Sequence, residues 1–202
     1  VTLAIILSYA KRSKPIKPIR TAIAMAGFGY ALPGTIIAIG VLIPLAWMDH
    51  GLIALFESAG WDSPGLLLSG SLVALLFAYT VRFLAVALGS VQSGLEKIKP
   101  SLDHAGRSMG HSPLAILRKI HVPLMRSSIL TAVLIVFVDV LKELPATLIL
   151  RPFNFNTMAV RVYELASDER LADAAPAAIM IVLVGLIPVL MLHASIARRR
   201  PR

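Results

Sequence analysis

The chain has 202 residues, 57% hydrophobic and only 15% charged, with a net charge of +9 and no cysteine. A soluble domain normally carries about 25% charged residues, so the apolar excess points to lipid as the solvent. The missing cysteines exclude disulfides and thiolate metal sites, and the excess bases lie in loops between apolar runs, which argues against a nucleic-acid partner.

Five apolar stretches follow one another along the chain. The first, residues 1–10, is shorter than the roughly 20 residues a span needs. With no initiator Met before it, we expect a truncated helix whose start lies upstream, not a signal peptide. The second runs over 22–48 and is densest after Pro33-Gly34, where a kink is expected between a lead-in and the span. The third runs over 66–91. There Gly70, Ala74 and Ala78 recur every four residues, and Ala85 and Gly89 repeat the spacing. Small residues at that interval let helix backbones approach in lipid; chance in an Ala-rich helix is the other reading. Arg82, one turn past Ala78, is expected to snorkel or to pair inside the bundle. The fourth stretch covers 127–150 and the fifth 174–193. These last four are long enough to span, and each must be helical, because a lone segment in lipid satisfies its backbone only internally. The fold class is therefore an all-α polytopic transmembrane helix bundle.

The connections give an orientation. Residues 11–20, 92–126 and the C-terminal tail with Arg198, Arg199, Arg200 and Arg202 hold fifteen Lys and Arg, whereas 49–65 and 151–173 hold three. If the helices alternate, the first group shares one side, which the positive-inside rule makes cytoplasmic.

The longest of these loops, 92–126, is expected to be structured. Ser101 follows Pro100 and can cap a short helix from Leu102 to Met109, which Gly110 would end in a left-handed turn. Ser112-Pro113 then supplies an N-cap and a Pro at the first helical position. The second helix carries Leu114, Leu117 and Ile120 on one face and should stop before Pro123. A helix-turn-helix elbow held at the inner membrane surface suits a docking element for a cytoplasmic partner.

The loop SLDHAGRSMGHSPLAILRKIHVPL resembles the signature loop of ABC importer permeases of the MetI-like type. That signature is EAA, three residues, Gly, nine residues, then Ile-x-Leu-Pro. The matching positions are His104-Ala105-Gly106, Gly110, Ile120, Val122 and Pro123. His104 stands for Glu, Gly106 for Ala and Val122 for Leu, while Asp103 keeps an acid one position earlier. The resemblance implies that these residues couple the chain to an ATPase subunit. Two further runs, YALPGTIIAIG (30–40) and the segment 139–178, are similar to ferric-iron uptake permeases, in which this chain would be the C-terminal half. The likeness implies four things: a bacterial inner-membrane location; partner ATPase subunits that bind ATP and Mg; a periplasmic ferric-iron-binding protein; and an N-terminal half or second permease subunit. Thiamine, polyamine, phosphonate and sulfate importers share the elbow. A secondary transporter, with coupling ions at broken helices and no ATPase, is the rival of a different class.

The residues themselves offer no covalent chemistry. No G-x-x-x-x-G-K-[ST], H-E-x-x-H or G-x-S-x-G run occurs, so no cofactor is expected on this chain and it is not expected to be an enzyme. His104, His111 and His121 lie on the elbow and His50 and His193 elsewhere; we expect interfacial polar residues rather than a metal site. Asp139 and Glu143 share a helix face beside Lys142. They either line the outer part of a pathway, where carboxylates would suit a hard ferric ion, or form a Lys142-centred ion pair that holds helices together. The ion-pair reading is preferred. Pro145 should break the helix just after them. Tyr163, Glu164, Asp168 and Glu169 lie on an amphipathic external segment that meets a binding protein or simply forms a solvated cap.

Overall fold

The structure is a computed structural model that describes residues 1–197, with side chains through Met191. The tail arginines and the His193 side chain lie outside the described residues. All the regular structure described is helical: α1 (Thr2–Ser13), α2 (Lys17–Ala31), α3 (Gly34–Ser58), α4 (Leu72–Glu96), α5 (Ser101–Ser108), α6 (Pro113–Ile116), a π-helical turn (Leu117–His121), α7 (Val122–Leu124), α8 (Arg126–Leu141), α9 (Pro145–Leu150), α10 (Met158–Ser167) and α11 (Leu171–Ala197). Among the described residues three helices are long and apolar enough to cross a membrane: α3, α4 and the 171–191 part of α11. At about 1.5 Å per residue, 25-residue α3 and α4 reach beyond the roughly 30 Å hydrocarbon core. The all-α, multi-spanning fold class expected from the sequence is the one observed.

The helix boundaries depart from the expected ones in physically instructive ways. The stretch expected over 22–48 is two helices, split at Leu32-Pro33, and the span proper runs to Ser58. Asp49 and His50 look like the start of a polar loop, but Asp49 lies within α3 and is fully buried. Its Oδ1 accepts the backbone N–H groups of Leu67 and Leu68 at 3.1 and 2.9 Å; its Oδ2 accepts the Ser69 N–H and hydroxyl at 2.8 and 2.7 Å. The same bonds explain why the apolar residues 66–68 are not helical and α4 starts at Leu72. The amides of Leu67, Leu68 and Ser69 are already committed to Asp49. Replacing Asp49 with Ala is expected to free this loop and to lower the melting temperature of the solubilised protein several-fold more than Ser69→Ala. Ser69→Ala removes a single bond of the set.

The fourth expected span, 127–150, is interrupted. α8 ends at Leu141 and α9 starts at Pro145, whose ring cannot continue the ladder of α8. A fourth crossing exists only if 113–124 and 126–141, bent by 78°, count as one broken span.

The chain forms two compact units. In the first, built largely from 1–30 and 83–137, Ala87, Leu88, Val91 and Leu95 of α4 pack with Ala4 of α1, Met125 and Ala132. In the second, built from 31–82 and 138–191, Ala74 and Ala78 of α4 pack against Ile37, Ala38 and Val41 of α3 and against Ala146 and Leu150 of α9. The small-residue stripe thus works at Ala74 and Ala78. Gly70 lies outside the helix and Gly89 has open space around it, so neither serves a close approach.

Candidate functional site

The elbow forms as the sequence suggested at its turn and differs at both helices. α5 begins at Ser101 itself, with Pro100 at the N-cap and no side-chain cap. It ends in a Schellman turn: Gly110 sits at φ +77°, its N–H bonds Arg107 O, and the His111 N–H bonds Gly106 O at 3.0 Å. Ser112 caps the next turn by accepting the Ala115 N–H at 3.3 Å.

The winding then runs through Pro123 to Leu124, contrary to the expected stop. The π turn makes this possible. The Val122 N–H reaches back to Leu117 O, and the wider turn tolerates a proline that lacks an N–H. Ile116 and Leu117 are buried with Tyr9, flanked by Ile120 and Val122, while Leu114 is 63% exposed. Gly106 is explained by the same packing. A Cβ there would lie 3.0 Å from Ile116 Cγ1, so the glycine lets α5 settle on α6. His104 and Ala105 face outward, as do Met109 and Leu102.

Asp103 is the residue that joins these pieces. Its Oδ2 accepts the Arg12 Nε–H at 2.9 Å and lies 2.7 Å from Arg12 Nη2. Its Oδ1 is 2.7 Å from Nε2 of His121, which is fully buried. The Arg12 guanidinium also donates to Leu95 O at 2.6 Å and Ile98 O at 2.8 Å, at the end of α4 where carbonyls lack helical partners. Tyr9 packs on the His121 ring, with centroids 5.2 Å apart. Burial pushes the Asp103 carboxyl upward, but the hydrogen bonds and charges of His121 and Arg12 outweigh it and hold the group below the usual carboxylate range. One ionised carboxylate therefore ties α1, the end of α4 and both elbow helices into a single rigid piece.

His121 is thus a buried structural partner and not the interfacial polar residue expected. Among the described residues no three His, Asp or Glu side chains converge to hold a metal ion. Sequence reasoning singled out Asp103 but missed Arg12, which lies far away in the chain. The available signal was a lone acid in a basic elbow, which needs a cation beneath it.

The second candidate cluster belongs to the other unit. Asp139 pairs with Lys142 at 3.0 Å, and that lysine is 64% exposed. Glu143 does not share this pair. Its Oε2 meets Arg82 Nε at 3.1 Å, and its Oε1 accepts the Ala146 N–H at 2.9 Å, satisfying the start of α9. Arg82 also donates to Leu32 O at 3.0 Å, a carbonyl left over by the break between α2 and α3. Arg82, expected to snorkel or pair, pairs, and it serves two helix breaks at once. Gly34 makes room, since a Cβ there would lie 2.8 Å from Glu143 Oε1. In the segment 151–173, Glu164 is held by Arg151 and Asn156, each at 2.9 Å, while Tyr163 is half-exposed.

Membrane-length helices joined to a polar elbow define a multi-spanning membrane protein. The chain belongs to the family of binding-protein-dependent transport system inner membrane components, whose model matches residues 1–201. It is accordingly a transmembrane permease subunit of an ABC importer, a class without catalytic activity of its own. It is 33% identical over 118 residues to the Fe(3+)-transport system permease protein FbpB 2 of Haemophilus influenzae, covering 58% of this chain and 23% of that one. It is 27% identical over 157 residues to a putative 2-aminoethylphosphonate transport system permease protein of Salmonella typhimurium, covering 78% and 57%. A probable molybdenum ABC transporter permease protein of Haloferax volcanii is 27% identical over 127 residues, covering 63% of this chain and 47% of that protein. The chain thus spans little more than half of these relatives at most.

Proposed function

We propose that residues 101–123 face the cytoplasm and transmit the movement of a separate ATPase subunit to the bundle, and that the cargo is ferric iron delivered by a periplasmic binding protein in a bacterial inner membrane. The observation that supports the coupling role is the Arg12–Asp103–His121 cluster. A docking loop can drive spanning helices only if it is rigidly tied to them, and this cluster ties the elbow to α1 and α4 through charged hydrogen bonds. The exposed side chains Leu102, Met109 and Leu114 are left to meet the partner. Closure of the ATPases would then shift the population between inward- and outward-open states by moving helices as bodies. An N-terminal half or a like subunit would complete the path. Charge placement supports the sidedness, with fifteen Lys and Arg on the elbow's side against three opposite.

For the cargo, support comes from the iron permease named above and from the segments 30–40 and 139–178. A 2-aminoethylphosphonate cargo is the second reading, since the relatives so named align with more of this chain. Cells carrying the complete permease, its ATPase and its binding protein should accumulate labelled ferric iron. Uptake should stop when the ATPase loses its phosphate-binding lysine. Accumulation of labelled 2-aminoethylphosphonate without iron would transfer the assignment to the second cargo, and iron uptake indifferent to ATP hydrolysis would overturn the coupling role.

A further inference from the structure

We propose that the cavity between the ends of α1 and α4 binds the phosphate headgroup of an anionic phospholipid carrying free hydroxyls, such as phosphatidylglycerol. The cavity holds about 330 Å³ and is lined by Ser8, Lys11, Arg12, Arg20, Gln92 and Glu96, among others. Ser8 is 2% exposed, and its hydroxyl has no hydrogen-bond partner. That hydroxyl has almost no accessible surface, so it is closed to a ligand and the cations of the cavity carry the site. Arg12 is committed to Asp103 and to the carbonyls of Leu95 and Ile98, so it contributes mainly its field. Lys11 and Arg20 form no ion pair among the described residues, and 11–20 holds five bases and no acid.

These groups suit a phosphate diester. Gln92 and Glu96 on the α4 side offer acceptors that a bare phosphate would not use but headgroup hydroxyls would. The position favours a lipid over a soluble phosphate ester. The cavity lies at the end of α4, a helix long and apolar enough to span, where headgroups are found. The chain that follows the cavity's basic rim exposes Ile16, Met25 and Phe28, apolar surface for acyl chains. Basic pockets beside spanning helices are suited to anionic headgroups. The inference rests on the membrane assignment and is independent of the cargo.

The test uses the assembled importer, delipidated in detergent and offered mixed phosphatidylglycerol and phosphatidylcholine, with retained lipid read by native mass spectrometry. Wild type should retain phosphatidylglycerol preferentially. The K11Q/R20Q double variant should retain it about tenfold less or weaker still, two cations having been removed. The melting temperature of the double variant should be unchanged. Equal retention by wild type and the double variant would overturn the proposal, as would indifference between the two lipids. Displacement of the lipid by equimolar glycerol 3-phosphate would reassign the cavity to a soluble phosphate ester. Shielding of Lys11 from amine labelling in the delipidated complex would show that a partner chain fills the site instead.

Discussion

Replacing Asp103 with Asn is expected to destabilise the chain by about 3 kcal/mol and to uncouple ATP hydrolysis from transport, because breaking a buried ion pair leaves an uncompensated charge behind. Arg12 and Asp103 have side chains only 18% and 9% exposed, so solvent screens little of the loss. His121 loses its anionic partner in the same step. The expected signature is a lowered melting temperature together with more ATP hydrolysed per cargo molecule moved. A cycle with Arg12→Met separates direct pairing from general damage: the double variant should cost clearly less than the sum of the two singles. Strict additivity would mean that the pair does not act as a unit. Full coupling in a stable D103N importer would refute the elbow's proposed role.

The pH dependence of this contact follows from its direction. The Asp103 carboxyl is held below its ordinary value of 3.8 in the folded chain. The unfolded chain therefore binds more protons in the acid range, and the stability Asp103 supplies is present above that ordinary value and lost as pH falls through the depressed one. The melting difference between wild type and D103N should stay level through neutral and mildly acid pH. It should shrink only once pH drops below 3.8.

How much of this was legible in the sequence depends on whether the signal was local. The elbow's turn was, because Gly110 and Ser112-Pro113 act on their own neighbours. The break before Pro145 and the kink at Pro33 were legible for the same reason. The ends of α3 and α4 were not. Asp49 looks like a loop residue until the amides of 67–69 are seen to surround it. Leu114, Leu117 and Ile120 were read as one face from the α-helical period, but which part of it is buried depends on Tyr9 packing against Ile116 and Leu117, a tertiary contact. Gly106, a departure from the family's Ala, is intelligible only with Ile116 against it. Arg12 and Arg82, the cations that decide both clusters, are joined to their acids by tertiary contact alone, and no spacing rule reaches them.

The same distinction ranks the substitutions in the second cluster. Arg82→Met is expected to be the most damaging, at about 3–5 kcal/mol, since it strips the counter-charge from a 5%-exposed Glu143 and the donor from Leu32 O together. Glu143→Gln keeps a single acceptor, for Arg82 or for the Ala146 N–H but not for both, and turns an amide NH2 toward the other, so its expected cost is intermediate, about 2–3 kcal/mol. Asp139→Asn should be close to neutral, because its partner Lys142 is largely solvated and sits on the same chain segment. Melting temperatures of the three solubilised variants test this order. Uptake measured on the same proteins tests the rival assignment. If Asp139 and Glu143 line a pathway for a cation, D139N should abolish uptake while melting like wild type. If Arg82 and Glu143 clamp two helix breaks, uptake should fall in step with stability, with R82M lowest and D139N almost untouched. The geometry favours the clamp, since Glu143 already spends one carboxylate oxygen on Arg82 and the other on the start of α9.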